Sequence, residues 1–279
     1  MRLALVLAYD GEQFHGSAPQ PQVRTVVGSL VNGLELLNVD ASEVAMAGRT
    51  DAGVHARCQV VSLEVPEVDV SIWPRLHVVV GDGVMLRAVM RVPPEFHARH
   101  SARWRQYLYR VRAASRDPLF PHAWQLPVAL DIDRMRELAS YLMTVEDFDA
   151  MCKVGSAGGY RRRLHAIDII ERAGLIEFSV LGISFCHQMV RRIVGAMVQV
   201  GRGRWSVARV MDAIEARDRS VLTELAPPSG LYLWRVGYAD AWEWAPERLR
   251  ESGFEQDWAT IDRLELDFPL EWSAECRHG

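Results

Sequence analysis

Lysine is nearly absent from this sequence: of its 32 basic side chains only Lys153 is not an arginine. Arginine's planar fork suits bidentate phosphate contacts, and GC-rich coding produces the same bias, so both readings stay open. Long apolar runs are missing too. No stretch approaches the roughly 18 residues that a membrane span requires. Met1-Arg2 leads straight into a short strand-like run rather than a secretory signal, which points to a cytoplasmic protein with no membrane partner. The four cysteines, Cys58, Cys152, Cys186 and Cys276, lack the paired spacing of a zinc or redox site and read as ordinary reduced thiols. There is no short tandem repeat and no low-complexity tract, which excludes solenoids and fibres.

What is present is an ordinary globular composition. The chain has 279 residues, 49% hydrophobic and 24% charged, enough to bury a sizeable core without staples. The formal net charge of -4 argues weakly against a nucleic-acid partner until its distribution is considered. Residues 240–279 hold 11 acidic and 4 basic side chains, a balance of -7, so residues 1–239 carry +3. The body of the protein is mildly basic.

Leu3 to Tyr9 is an apolar run of strand length that breaks at Asp10-Gly11. Val23, Val26, Val27, Leu30, Leu34 and Leu37 recur at helical spacing and predict a helix with one stripe on a sheet. Gln59 to Val65 reads as a strand, which makes Gly48 to Gly53 a loop held between ordered elements. Arg103 to Arg112 alternates as a strand with Arg105, Tyr107 and Tyr109 on one face and Trp104 and Leu108 on the other. Asp131 to Met143 reads as a helix with an acidic first turn. Leu164 to Ile170 and Leu175 to Leu181 read as paired strands joined through Ala173-Gly174. Val190, Ile193, Val194, Met197 and Val198 then form the apolar stripe of a helix flanked by His187, Gln188, Arg191 and Arg192. A short helix over Val207 to Ile214 and a closing strand over Leu231 to Tyr238 complete the pattern.

Each half mixes strands and helices in a similar order, which points to an α+β duplication. The divisions expected are residues 1–100, residues 101–239, and an acidic extension over 240–279 that contains Trp242, Trp244, Trp258 and Trp272. That extension is too aromatic for a purely disordered tail.

The segment Gly48-Arg49-Thr50-Asp51-Ala52-Gly53-Val54-His55 brackets an Arg, a Thr and an Asp between glycines, so backbone can approach a ligand while a carboxylate is presented. Taken alone, such a loop is more often a tight structural turn. It closely resembles, however, the Gly-Arg-Thr-Asp-x-Gly-Val-His signature of the tRNA pseudouridine synthase A family. Further matches follow in order: Tyr9-Asp10-Gly11, Phe96-His97-Ala98-Arg99, Arg105-Gln106-Tyr107-Leu108-Tyr109, the run from Phe185 to Gly195, and Gly230-Leu231-Tyr232-Leu233. They span residues 9 to 233.

The resemblance implies isomerisation of uridine to pseudouridine in the anticodon stem-loop of tRNA, at positions 38, 39 or 40. The reaction involves no net redox change, and by the resemblance it needs neither cofactor nor metal. The resemblance also implies two α/β halves sharing an extended, mostly antiparallel mixed sheet with a central catalytic cleft, and a homodimer. Asp51 matches the family's nucleophile. A carboxylate enclosed with a stacked base tends to protonate, so an opposing cation is needed to keep it ionised; Arg191 matches that residue. Tyr107 matches the active-site tyrosine that packs on the base, a safer role than proton transfer for a phenol with a pKa near 10.

Arg49 matches the position that guards the space left by the flipped nucleotide. His55 is expected to support the loop beside the substrate, and Arg192 to meet a phosphate or lie exposed. Arg161-Arg162-Arg163 and the pair Arg202 and Arg204 either contact RNA backbone or lie on solvated faces. The chain departs from the family at Gly16-Ser17-Ala18-Pro19-Gln20, where Gly-Trp-Gln is usual, and at His77-Val78-Val79-Val80-Gly81, which bears on substrate positioning. Two alternatives follow: the same chemistry on another RNA or a small uridine compound, and a non-catalytic RNA-binding or RNA-folding protein.

Overall fold

The computed structural model describes residues 1–69, 71–114, 116–117, 120–156 and 158–238. The acidic extension expected over 240–279 lies outside the described residues. The described residues form two compact units, one made of Met1–Arg103 and residues 235–238, the other of Trp104–Trp234. No helix among the described residues is long and apolar enough to cross a membrane.

The first unit is built on β1 (Arg2–Tyr9), with β3 (His55–Glu64) and β4 (Val84–Arg91) antiparallel on its two sides and β2 (Ser42–Met46) antiparallel on β3. Neighbours on both edges explain why β1 is an unbroken apolar run: Leu3, Ala4, Leu5 and Leu7 are fully buried, with no polar alternation. Helix α1 (Val26–Leu36) starts at Thr25, whose hydroxyl accepts from the Gly28 amide at 3.2 Å. It buries Val26, Val27, Leu30 and Leu34, while Val23 lies before the helix and is exposed. Helix α2 (Ile72–Val80) packs on α1 at Gly33, where a Cβ would lie 3.1 Å from Leu76 and Val80. Ile72, Trp73, Leu76 and Val80 form the buried stripe of α2, but the exposed Val78 and Val79 add apolar residues off that face and blur its period in the sequence.

The second unit centres on β5 (Trp104–Arg112), antiparallel to β8 (Leu175–Gly182), which is antiparallel to β7 (Leu164–Arg172); a short β6 (Trp124–Gln125) runs parallel to β5. The β7–β8 hairpin turns through Ala173 and Gly174, both at positive φ (48° and 76°), the geometry that matches strand twist in a two-residue turn. Helix α3 (Ile132–Leu142) is capped by Asp131, which accepts from the Arg134 amide at 3.1 Å, and it packs on α4 (Met189–Gly201) and α5 (Val207–Glu215). Strand β9 (Leu231–Gly237) carries the chain from the second unit back to the first. The α+β expectation holds, with mostly antiparallel ladders in each unit.

Cys152 and Cys186 form a disulfide with Cα atoms 5.8 Å apart, Cys58 is free, and Cys276 lies outside the described residues. Four reduced thiols are the sequence expectation; spacing carries no sign of this pair because tertiary contact creates it. The Lys153 amide donates to the His187 carbonyl at 3.0 Å and draws together segments 34 residues apart.

Candidate active site

In the first unit, the loop from Gly48 to Val54 is held by hydrogen bonds at Gly48, Thr50, Asp51, Gly53 and Val54. Gln59 Nε2 donates to the Gly48 carbonyl at 2.6 Å. Thr50 is buried: its amide donates to the Ser17 hydroxyl at 2.8 Å, its carbonyl accepts from the Ser17 amide at 3.1 Å, and its hydroxyl meets the Tyr9 phenol at 2.8 Å. Arg49 and Asp51 flank this clamped threonine, Arg49 exposed and Asp51 half-buried. In an extended segment, neighbours of an inward-turned residue face outward, so fixing Thr50 presents both.

The loop then reverses. The Val54 amide donates to the Asp51 carbonyl at 3.1 Å, and the Gly53 amide donates to the Gly11 carbonyl at 3.1 Å. Gly53 sits at φ 76°, where a side chain is strained. Gly11 lies against the backbone of Val54 so closely that a Cβ there would overlap the Val54 carbonyl. Asp10-Gly11 and the Asp51 loop are thus halves of one packed turn, which accounts for a motif at residue 9 and another at residue 48.

His55 is buried, with Nδ1 at 3.1 Å from both the Gly11 amide nitrogen and Asp10 Oδ1. The neutral ring accepts from the amide; the protonated ring pairs with the carboxylate. Either contact fastens the turn beneath Asp51. Tyr9 is enclosed as well, and burial pushes its phenol pKa up against the opposing hydrogen bonds from Thr50, Gln59 and Ser17.

In the second unit, β5 places Arg105, Tyr107 and Tyr109 at alternate positions of one face. Arg105 is buried and donates to the Ile183 carbonyl at 2.9 Å. The Tyr107 ring meets Phe185 edge-on, centroids 5.0 Å apart and planes at 82°, which fixes its tilt. Tyr109 is fully buried and donates from its hydroxyl to the Pro227 carbonyl at 2.8 Å; burial pushes its phenol far above the ordinary range. Both rings are buried, Tyr107 8% exposed and Tyr109 not at all; Tyr109 belongs to the core, as expected.

Helix α4 is buried nearly all round, and Arg191 and Arg192 are its only half-exposed residues. The chain enters it through Gln188 in the left-handed conformation (φ 67°), uncommon without glycine. Arg191 Nε donates to the Ala226 carbonyl at 2.8 Å, and the Ala226 amide returns a bond to the Arg191 carbonyl at 3.2 Å. Tying Nε to a backbone strap fixes the direction in which the guanidinium points. Arg192 Nη1 donates to the Leu222 carbonyl at 2.9 Å, and its pKa is lowered by burial, then by Arg219 and Arg191.

The structure therefore gathers Arg49, Asp51 and His55 on one turn of the first unit, and places Tyr107, Arg191 and Arg192 on β5 and α4 of the second. Ser17 and the Ala226 strap are supporting elements that sequence reasoning missed. The signal for Ser17 was present: it is where the chain departs from the family's Gly-Trp-Gln.

A family model described as tRNA pseudouridine synthase matches residues 139–239. Among curated relatives, the tRNA pseudouridine synthase A of Geobacillus sp. (strain WCH70) is 36% identical over 243 residues, covering 85% of this chain and 98% of the relative. That of Thermosipho africanus is 36% identical, covering 84% and 98%. That of Fervidobacterium nodosum is 37% identical, covering 84% and 98%.

Proposed function

Because the chain belongs to the tRNA pseudouridine synthase family, we propose that it converts uridine to pseudouridine in the anticodon stem-loop of tRNA, at positions 38, 39 or 40, with Asp51 as nucleophile. The observation that carries the assignment to Asp51 is the clamping of Thr50 by Ser17 and Tyr9, which holds the adjacent carboxylate on a rigid turn. A nucleophile that attacks a flipped nucleotide needs such preorganisation, since a small misplacement costs orders of magnitude in rate.

In this reading Arg191 keeps Asp51 ionised and oriented when the base has displaced water, its direction set by Ala226. Tyr107 packs on the target base, its tilt held by Phe185. Arg49 guards the space that the flipped nucleotide leaves in the stem. His55 secures the turn next to the substrate, and Arg192 braces the 222–226 segment with capacity for a phosphate. The glycosidic bond breaks, the base rotates, and C5 joins C1′, with one proton lost from C5 and one gained at N1. The enzyme acts in the cytoplasm as a homodimer.

The test is pseudouridine mapping of unmodified tRNA transcripts after incubation with the wild-type protein and with Asp51→Asn. New pseudouridine in the anticodon stem-loop with the wild type alone is the expected result. Product at another site redirects the proposal to a different RNA target, and product with both proteins rejects Asp51 as nucleophile.

A further inference from the structure

The second unit holds a groove of about 830 Å³ between the end of α3 and the segment that leads into β7. Arg161, Arg162, Arg163 and His165 line one side; Glu146 and Ile183 contribute to the other. Tyr107, Arg191 and Arg192 are not part of its lining.

The strip from 161 to 165 alternates. Arg161, Arg163 and His165 are exposed, Arg162 is half-buried, and Leu164 is buried. In an extended chain such alternation puts Arg161 and Arg163 on one face about 6.6 Å apart, near the spacing of successive phosphates along an RNA strand; the ladder shifts register between Leu164 and Ala166, so His165 stands outside this spacing. The strip is fixed by its backbone. The Arg162 amide donates to the Glu146 carbonyl at 2.9 Å, and the Ile183 amide donates to the Arg163 carbonyl at 3.2 Å. Arg162 Nη1 donates to the Gly158 carbonyl at 3.1 Å, so its guanidinium is partly engaged by backbone of the preceding loop.

The acid that faces this strip competes weakly. Glu146 approaches Arg161 at 3.7 Å with the two side chains 80% and 83% exposed, so the pair is hydrated and readily exchanged for a stronger anion. Guanidinium forks on a segment pinned through its backbone, with an imidazole as a further donor, match phosphate oxygens bidentately.

We propose that this groove holds the phosphodiester backbone of the RNA substrate, Arg161 and Arg163 each meeting one phosphate, as a contact separate from the chemistry at the uridine. It rests on the reading of the protein as a tRNA-modifying enzyme and adds where that RNA is gripped.

The experiment measures the affinity of an unmodified tRNA transcript for the wild type and for R161A/R163A across a salt series, with turnover measured on the same preparations. Each lost phosphate contact removes about 0.7–0.9 from the slope of log K against log salt, so the double variant flattens the slope by roughly 1.5. Its KM rises roughly tenfold with kcat retained at saturating tRNA. R161K/R163K keeps most of the slope, because the charge remains. An unchanged slope and KM in R161A/R163A overturns the groove, as does equal loss of slope in the lysine variant. If the wild type binds tRNA with the expected slope change but makes no pseudouridine, the groove stands and the catalytic reading falls.

Discussion

The amide of Thr50 donates to the hydroxyl of Ser17 at 2.8 Å, and the amide of Ser17 donates back to the carbonyl of Thr50 at 3.1 Å. This reciprocal pair couples a position where the chain departs from its family to the residue beside Asp51. Ser17→Ala leaves the Thr50 amide without that acceptor in a buried setting, a loss of about 1–3 kcal/mol. The expected outcome is a several-fold fall in kcat with tRNA affinity retained, read by single-turnover kinetics alongside filter binding. A defect confined to affinity contradicts the coupling.

Asp51→Asn preserves volume and removes the nucleophile. Turnover falls by about a thousandfold or more, in line with the loss of a nucleophile elsewhere, while the dissociation constant for tRNA changes little. Residual turnover within tenfold of the wild type assigns the chemistry to another group.

Arg191 separates charge from direction. Arg191→Ala lowers kcat by about 10²–10³-fold, the scale seen for removing one electrostatic group from a preorganised site. Arg191→Lys keeps the charge but loses the Nε bond to Ala226, so it recovers only part of the rate. Full recovery with lysine makes the strap irrelevant; a change in KM alone recasts Arg191 as a phosphate contact.

Two buried phenols contribute to alkaline unfolding. Folding raises the pKa of Tyr9 and Tyr109, chiefly through burial. Above a pH of about 10 the unfolded chain gives up protons that the folded chain keeps, so their contribution to stability is intact below that pH and drains as pH rises through it. The loss is at most about 1.4 kcal/mol per tyrosine for each pH unit. Tyr109→Phe forfeits the bond to Pro227, about 1 kcal/mol at neutral pH, but declines less steeply between pH 10 and 11. Urea midpoints at pH 9, 10 and 11 measure both effects, and parallel declines in variant and wild type refute the assignment.

How far the sequence reveals this molecule depends on whether a feature is local or tertiary. The β1 run, the α4 stripe, the Ala173-Gly174 hairpin and the capping Asp131 are local, and each lies where its pattern indicates. Helix α2 was hidden because the exposed Val78 and Val79 blur the stripe formed by Ile72, Trp73, Leu76 and Val80. Asp51, Tyr107 and Arg191 are visible as residues through family motifs alone; nothing in their spacing joins residues 51, 107 and 191. The supports of Asp51 and Arg191, Ser17 and the Ala226 carbonyl, are contacts 33 and 35 residues away, beyond any periodic signal.

The disulfide is the last such tertiary feature. Cys152–Cys186 closes a loop across a 34-residue separation, and the entropy withdrawn from the unfolded chain by a loop of this size stabilises the fold by about 3–4 kcal/mol. Cys186 also precedes the turn into α4 and follows Phe185, whose ring edge rests on Tyr107. Reduction therefore lowers the melting temperature by roughly 5–15 °C at the usual few degrees per kcal/mol, and it loosens the tilt of the Tyr107 ring. Thermal melts with and without dithiothreitol test the first effect. The second is read as a fall in kcat that Cys152→Ser reproduces in the absence of reductant and that dithiothreitol does not deepen. A reductant effect that persists in Cys152→Ser traces the change to some other thiol.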